Sequence, residues 1–152
     1  MNKGKMAPAV RVDPGAAAYA VVPVGPRAVG GLAAWVGEFL GLEFSDWEIR
    51  ITTDFAIAGL NQTFLGCIGP TNVLSFPDGC GGGSIVLNVQ AVLREAWLYD
   101  QCPASHWVRL LTHAILHLHG VEHGPEMDAV TEATVAQATA AGNAAMVDPT
   151  PG

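Results

Sequence analysis

The amino-acid sequence predicts an α+β fold in which helices pack around a small mixed β-sheet. Segments with helical and with strand-like hydrophobic patterns interleave irregularly along the chain, which is typical of this fold class. Half of the 152 residues are apolar and only 14% are charged, so the chain can bury a core. A chain of this length corresponds to one domain.

The first half of the chain is predicted to contain a short strand, a helix, a second strand and a second helix. The first strand lies near residues 10–12, and apolar side chains recur at helical spacing over 27–40. Residues 47–53 (WEIRITT) alternate and are rich in β-branched side chains, which is typical of a strand with one solvated face. Asp54 is expected to cap the helix that follows.

The second half continues with segments that proline or glycine delimits. A glycine cluster at 79–83 lacks the lysine and the ordered spacing of nucleotide-binding loops, so we expect a flexible connector there. The predicted elements are strands at 73–76 and 85–87 and helices at 89–99, 103–119 and 125–140, with Gly120 ending the second of these helices.

The predicted organisation has three parts. Residues 1–20 form an N-terminal segment with the first strand, 21–140 form the domain, and 141–152 form a flexible tail. Arg11, Asp13 and Pro14 interrupt any signal-peptide core, and no apolar stretch approaches the roughly 20 residues that span a bilayer. We therefore expect a cytoplasmic protein.

Charge and cysteine content exclude several classes of protein. The formal net charge is −7 and the seven Lys and Arg residues are scattered, which argues against tight non-specific binding to a duplex but not against a small basic patch. The three cysteines have no C-x-x-C spacing, so neither a disulfide framework nor a cysteine zinc site is indicated. Reduced, partly buried thiols are expected.

Residues 112–124 (THAILHLHGVEHG) predict a metal site. His113 and His117 are four residues apart, so they share one face of a helix, and Gly120 lets the chain return so that His123 can supply a third nitrogen. Three neutral histidines with an open position are typical of a catalytic zinc site, although nickel or cobalt also suits such ligands. We expect His119 and His106 to lie outside the site.

The residues next to these histidines disfavour one common class of zinc peptidase. A peptidase of the H-E-x-x-H type needs a glutamate directly after the first histidine, and this chain has Ala114 there. Glu122, beside the third histidine, either hydrogen-bonds a ligand imidazole from outside or is simply solvated.

Two blocks of the sequence resemble the YbeY family of bacterial rRNA maturation factors. Residues 113–123 (HAILHLHGVEH) are similar to the family's HGxLHLxGYDH. Residues 60–77 (LNQTFLGCIGPTNVLSFP) are similar to its LNxxYRGKDxPTNVLSFP, of which TNVLSFP is highly specific. The blocks occur in the family's order, and the resemblance covers roughly residues 45–130.

The resemblance implies a YbeY-like single domain and a metal-dependent, single-strand-specific endoribonuclease. The implied role is ribosomal RNA maturation, especially at the small-subunit 3′ end, and ribosome quality control. Its partners would be single-stranded ribosomal RNA and the ribosome or ribosomal proteins. His113, His117 and His123 would be the ligands of one zinc ion.

The chain also departs from the family pattern. Leu65 stands where the family has an arginine that could clamp a phosphate, residues 67–69 replace its basic and acidic loop residues, and Ser84 replaces the Asp of its GDI strand start. Glu122 and Val121 replace the Asp and Tyr of GYDH. These departures predict an intact metal site with weakened nuclease turnover, unless another basic residue substitutes.

Arg109, one turn before His113, is the candidate substitute, and a solvated surface arginine is the alternative.

Two further functions remain open at this point. One is a ribosome-associated metal-binding factor with weakened or lost nuclease activity, and the other, disfavoured by Ala114, is a zinc peptidase.

Overall fold

A computed structural model describes residues 7–19 and 25–140 of the chain, so the predicted tail at 141–152 lies outside the described residues. Four strands form one mixed sheet, and their bounds are β1 (Ala9–Val12), β2 (Trp47–Thr52), β3 (Val73–Pro77) and β4 (Gly83–Asn88). The order across the sheet is β1-β2-β4-β3. Strands β1 and β4 run parallel to β2, whereas β3 runs antiparallel to β4. The predicted small mixed sheet is confirmed.

Within the described residues, five helices pack around this sheet and confirm the predicted α+β class. Their bounds are α1 (Pro26–Phe39), α2 (Asp54–Leu65), α3 (Val89–Leu98), α4 (Pro103–Leu118) and α5 (Pro125–Ala140). Strand β4 separates two apolar clusters, because successive side chains of a strand point to opposite faces. Ile85 and Leu87 join the main core with α1, α3 and α4, while Val86 packs with Ile57 of α2 on the other face. None of the helices within the described ranges is long and apolar enough to cross a membrane.

Helix α2 begins differently from the prediction, because Thr53 and not Asp54 is its N-cap residue. Asp54 lies inside the first turn, where its carboxylate accepts hydrogen bonds from Asn88 (2.6 Å) and from the Arg94 guanidinium (3.1 Å). The Arg94 hydrogen bond is the main reason why the pKa of Asp54 lies below its usual value. The expected cap is therefore wrong, since tertiary partners on β4 and α3 engage the carboxylate.

The glycine cluster is an ordered turn between β3 and β4 and not the expected flexible connector. Its backbone closes on itself, because the Asp78 N–H donates to the Gly82 carbonyl at 3.0 Å. The Asp78 carboxylate also accepts hydrogen bonds from the backbone N–H groups of Cys80 (2.7 Å) and Gly82 (3.1 Å). These bonds hold the antiparallel pairing of β3 with β4 at its open end.

The three thiols are free, as expected, but they are exposed and not partly buried. Cys67, Cys80 and Cys102 all lie in connections between secondary-structure elements, where little of the core can cover them.

Candidate metal centre

Helix α4 places two of the three predicted ligands. Its apolar side chains, among them Leu111 and Ile115, are fully buried in the main core, and this packing leaves the opposite stripe to face a cavity. His113 and His117 lie one turn apart on that stripe, and their Nε2 atoms are 3.1 Å apart. The helix thus orients two imidazoles towards one point.

A tight turn after α4 places the third imidazole, that of His123, beside the other two. Gly120 adopts a φ of +79°, which glycine tolerates without strain, and the Val121 N–H donates back to the Leu116 carbonyl at 3.0 Å. The chain therefore reverses immediately after the helix. His123 returns so that its Nε2 lies 3.1 Å from that of His117.

The three imidazoles fit a metal ion. Their ligand nitrogens all lie within 4.8 Å of one another, and two nitrogens bound to one tetrahedral ion at 2.0–2.1 Å would be roughly 3.3 Å apart. Burial, followed by the neighbouring imidazoles, lowers the pKa of His113 and of His117, which favours the neutral form that binds metals. Within residues 7–19 and 25–140, no fourth ligand joins the three histidines, an arrangement typical of a site that keeps a position open for substrate or water.

A cavity of about 530 Å³ opens in front of the histidines. Its walls come from α4, from α5 and from residues 71–75, the beginning of the TNVLSFP segment. The two sequence blocks on which the family resemblance depends therefore face one another across a single cavity. Neither block shows this proximity in its own pattern, because about 40 residues separate them along the chain.

Two polar side chains of the TNVLSFP segment have structural partners. The Ser75 hydroxyl donates to the Ala114 carbonyl of α4 at 2.9 Å, which joins the strand to the helix that carries His113 and His117. The Asn72 amide donates to the Glu95 carboxylate at 3.2 Å, and that carboxylate lies 2.8 Å from Nε2 of buried His106. His106 thus lies outside the histidine triad, as expected, but sequence reasoning missed its connection through α3 to the cavity wall.

Arg109 lines the same cavity and is not a solvated surface residue. Its Nε and Nη2 donate to the two carboxylate oxygens of Glu132 at 2.7 and 2.8 Å, and its Nη1 donates to Gln101 at 3.0 Å. The Glu132 hydrogen bonds raise the pKa of Arg109, and the same bonds lower the pKa of Glu132. Glu132 was not predicted, since it lies 23 residues along the chain on a helix without a clear amphipathic pattern.

The remaining candidates make no described hydrogen bond to the three convergent imidazoles. Glu122 is exposed beside His117 and His123, and it makes no hydrogen bond to a ligand imidazole within residues 25–140. Leu65 ends α2 with its side chain 58% exposed, and it is absent from the described cavity lining. His119 packs edge-on against Phe44 with ring centroids 4.8 Å apart, outside the triad as predicted.

The sequence of this chain is similar to those of YbeY endoribonucleases. The family model described as Endoribonuclease YbeY matches residues 37–139. An Endoribonuclease YbeY of Nitratidesulfovibrio vulgaris is 40% identical over 144 residues, which cover 80% of this chain and 88% of the relative. One of Oleidesulfovibrio alaskensis is 40% identical over 126 residues, which cover 66% of this chain and 75% of the relative.

Comparison with solved structures supports the fold. The solution structure of TM1509 from Thermotoga maritima superposes with a TM-score of 0.60 over 94% of this chain and 98% of that protein. The two sequences are 23% identical, so this likeness shows a shared fold and no shared activity.

Proposed function

The chain belongs to the YbeY endoribonuclease family, and on that premise we propose that it is a metal-dependent endoribonuclease that cleaves single-stranded ribosomal RNA. The observation that supports this proposal best is the convergence of three histidine nitrogens in the wall of a cavity. The proposed role is rRNA maturation at the small-subunit 3′ end and ribosome quality control in the cytoplasm, with the ribosome or its proteins as partners.

We propose His113, His117 and His123 as ligands of one zinc ion, with nickel or cobalt as alternatives. When bound, the metal supplies Lewis acidity, which acidifies water and polarises a phosphoryl oxygen. The protein holds the three imidazoles in a fixed orientation, and Arg109 contacts a backbone phosphate in the same cavity. Glu122 remains in the proposal only as a neighbouring charge at the rim.

A cavity of this kind suits a single strand better than a duplex. A flexible strand can place one phosphate beside the histidines, whereas a duplex holds its phosphates on a wide, stiff cylinder. A peptidase is disfavoured because Ala114, at the position where that class carries its general base, is 0% exposed and its carbonyl is engaged by Ser75.

The proposal is tested by incubating the zinc-loaded full-length protein with a single-stranded RNA and with the same RNA in a duplex. We expect cleavage of the single strand only, and a loss of at least about 100-fold in the His117→Ala variant, because metal chemistry needs the intact triad. His119→Ala is the matched control and is expected to cleave normally.

Two other outcomes would overturn the proposal. Equal cleavage by wild type and His117→Ala would identify a contaminating nuclease. Binding without cleavage by the wild type would support a ribosome-associated metal-binding factor, an alternative that the loss of the loop arginine at Leu65 and the pairing of Arg109 with Glu132 both favour.

Arg109 and Leu65 provide a second prediction. Arg109→Ala is expected to lower kcat/KM for RNA by about 10- to 100-fold, the value of one or two charge-assisted hydrogen bonds to phosphate. Leu65→Arg is expected to change it little, because residue 65 lies outside the described cavity lining. Unchanged cleavage in the first variant together with faster cleavage in the second would show that Arg109 does not contact substrate.

A further inference from the structure

We infer that Glu132 competes with an RNA phosphate for Arg109, so that the Arg109–Glu132 pair limits how tightly the cavity binds an RNA backbone. This inference rests on the proposed function. Glu132 lies in the cavity wall, and both of its carboxylate oxygens accept hydrogen bonds from Arg109, the proposed phosphate contact.

Glu132 occupies the donors of Arg109 that a phosphate would also use. Glu132 accepts from Nε and Nη2 of Arg109 at 2.7 and 2.8 Å, which is the paired arrangement that guanidinium groups also use to bind phosphates. A third N–H, on Nη1, is engaged by Gln101 at 3.0 Å. A phosphate that uses the paired donors of Arg109 must therefore displace the Glu132 carboxylate.

The charges of the cavity wall also favour this competition. Among the described residues that line the cavity, Arg109 is the only one with a permanent positive charge, whereas Asp128 and Glu132 are both acidic. With Glu132 in place, the positive charge of Arg109 is neutralised, and Asp128 adds a further repulsion towards phosphate. When Glu132 is displaced, the guanidinium of Arg109 becomes available to an anion.

Arg109 and Glu132 are unequally exposed to solvent. The side chain of Arg109 is 24% exposed and that of Glu132 is 59% exposed. Glu132 can therefore leave towards water at little cost, as is usual for an exposed carboxylate, while Arg109 stays in the cavity wall. This asymmetry identifies Glu132 as the partner that is exchanged.

The test compares Glu132→Gln with Glu126→Gln, which removes the same charge from the exposed first turn of the same helix. Both are made in the wild type and in an Arg109→Ala background, and their unfolding temperatures are measured. Binding of a fluorescein-labelled single-stranded RNA to the zinc-loaded full-length protein is followed by anisotropy on ice over a range of salt concentrations. The RNA is recovered afterwards and its integrity is checked on a gel.

We expect Glu132→Gln to bind the RNA about tenfold more tightly, since the phosphate no longer has to displace a carboxylate from Arg109. Because Arg109 contacts the phosphate in both proteins, we expect the slope of log K against log salt to change by less than about 0.7, the value for one phosphate contact on a single strand. Glu126→Gln is expected to change affinity less than about twofold and to leave that slope unchanged. In the Arg109→Ala background, Glu132→Gln is expected to lose its advantage over Glu126→Gln.

Several results would overturn the inference. Equal effects of the two substitutions, or an effect of Glu132→Gln that persists without Arg109, would indicate a general charge effect. Weaker binding by a folded Glu132→Gln protein would show that Glu132 positions Arg109 instead of competing for it. Because binding is measured apart from cleavage, an unaltered Glu132→Gln affinity in a protein that cleaves RNA refutes this inference alone, whereas a wild type that neither binds nor cleaves refutes the proposed function as well.

Discussion

Replacement of His117 by alanine is expected to abolish stoichiometric metal binding. His117 is the central member of the triad, because its Nε2 lies 3.1 Å from the Nε2 atoms of both His113 and His123. Without it, the two remaining imidazoles have no protein nitrogen between them. Substitutions that merely disturb outer partners of a metal ligand cost 10- to 100-fold in affinity, so we expect loss of this ligand to cost more than about 100-fold.

Elemental analysis of the purified proteins measures this effect. The wild type is expected to contain about one equivalent of zinc, and the alanine variants of His113, His117 and His123 are expected to contain almost none. His119→Ala is the matched control, because His119 also lies at the end of α4 but packs against Phe44. One equivalent of metal in His123→Ala would contradict the ligand assignment.

Thermal unfolding provides a second measurement of the same prediction. A ligand present at 100 times its dissociation constant stabilises a protein by about 2.7 kcal/mol, and for a domain of this size that corresponds to a shift in Tm of roughly 5–10 °C. A chelator should therefore lower the Tm of the wild type and leave that of His117→Ala unchanged. An equal response of both proteins would mean that the metal binds elsewhere.

Local patterns predicted most of the fold because each element carries its own signal. The alternation of WEIRITT, the apolar stripe of α4 and the glycine after that helix all depend on neighbours within a few residues. The histidine triad could be predicted for the same reason, since two of its members lie one helical turn apart and the third follows a turn.

Two of the features that sequence reasoning missed depend on distant partners. Aspartate is a common helix cap, so Asp54 was expected to be one. In the folded protein, however, Asn88 at the end of β4 and Arg94 on α3 donate hydrogen bonds to its carboxylate. Arg109 shows no sign along the chain of its pairing with Glu132, because α5 has almost no amphipathic pattern from which its orientation could be inferred. The ionic environment of the cavity therefore follows only from the packing of α5 on α4.

Gly83→Ala is expected to be the most destabilising single substitution that we predict, with a loss of about 3–5 kcal/mol in the free energy of unfolding. Gly83 begins β4 with a φ of +133°, which residues with a Cβ rarely adopt. A Cβ at this position would overlap the Phe76 carbonyl oxygen and would lie 3.0 Å from Leu118 Cδ2 and 3.1 Å from the Asp78 nitrogen. Two of these neighbours are backbone atoms, so the strand pair itself must move.

Gly79→Ala separates this packing effect from backbone strain. Gly79 belongs to the same turn and also has a positive φ (+83°), but a Cβ there would meet nothing within 4 Å. Gly79→Ala is expected to lower the free energy of unfolding by only about 1–2 kcal/mol, the cost of holding a residue with a Cβ at a positive φ. Chemical denaturation of both variants measures the difference, and equal losses would show that close packing at Gly83 contributes nothing.

The position of Leu118 links this turn to the proposed chemistry. Leu118 follows His117 directly and is the last residue of α4, and its Cδ2 would lie 3.0 Å from a Cβ at Gly83, so the altered turn would press on the end of the helix that carries His113 and His117. Gly83→Ala is therefore expected to lower zinc content as well as stability, whereas Gly79→Ala should retain about one equivalent. A Gly83→Ala protein that is destabilised but fully metal-loaded would show that the triad tolerates movement of this helix end. In that case Gly120 and the chain reversal after it, and not the contact with the β3–β4 turn, would be what holds His117 opposite His123.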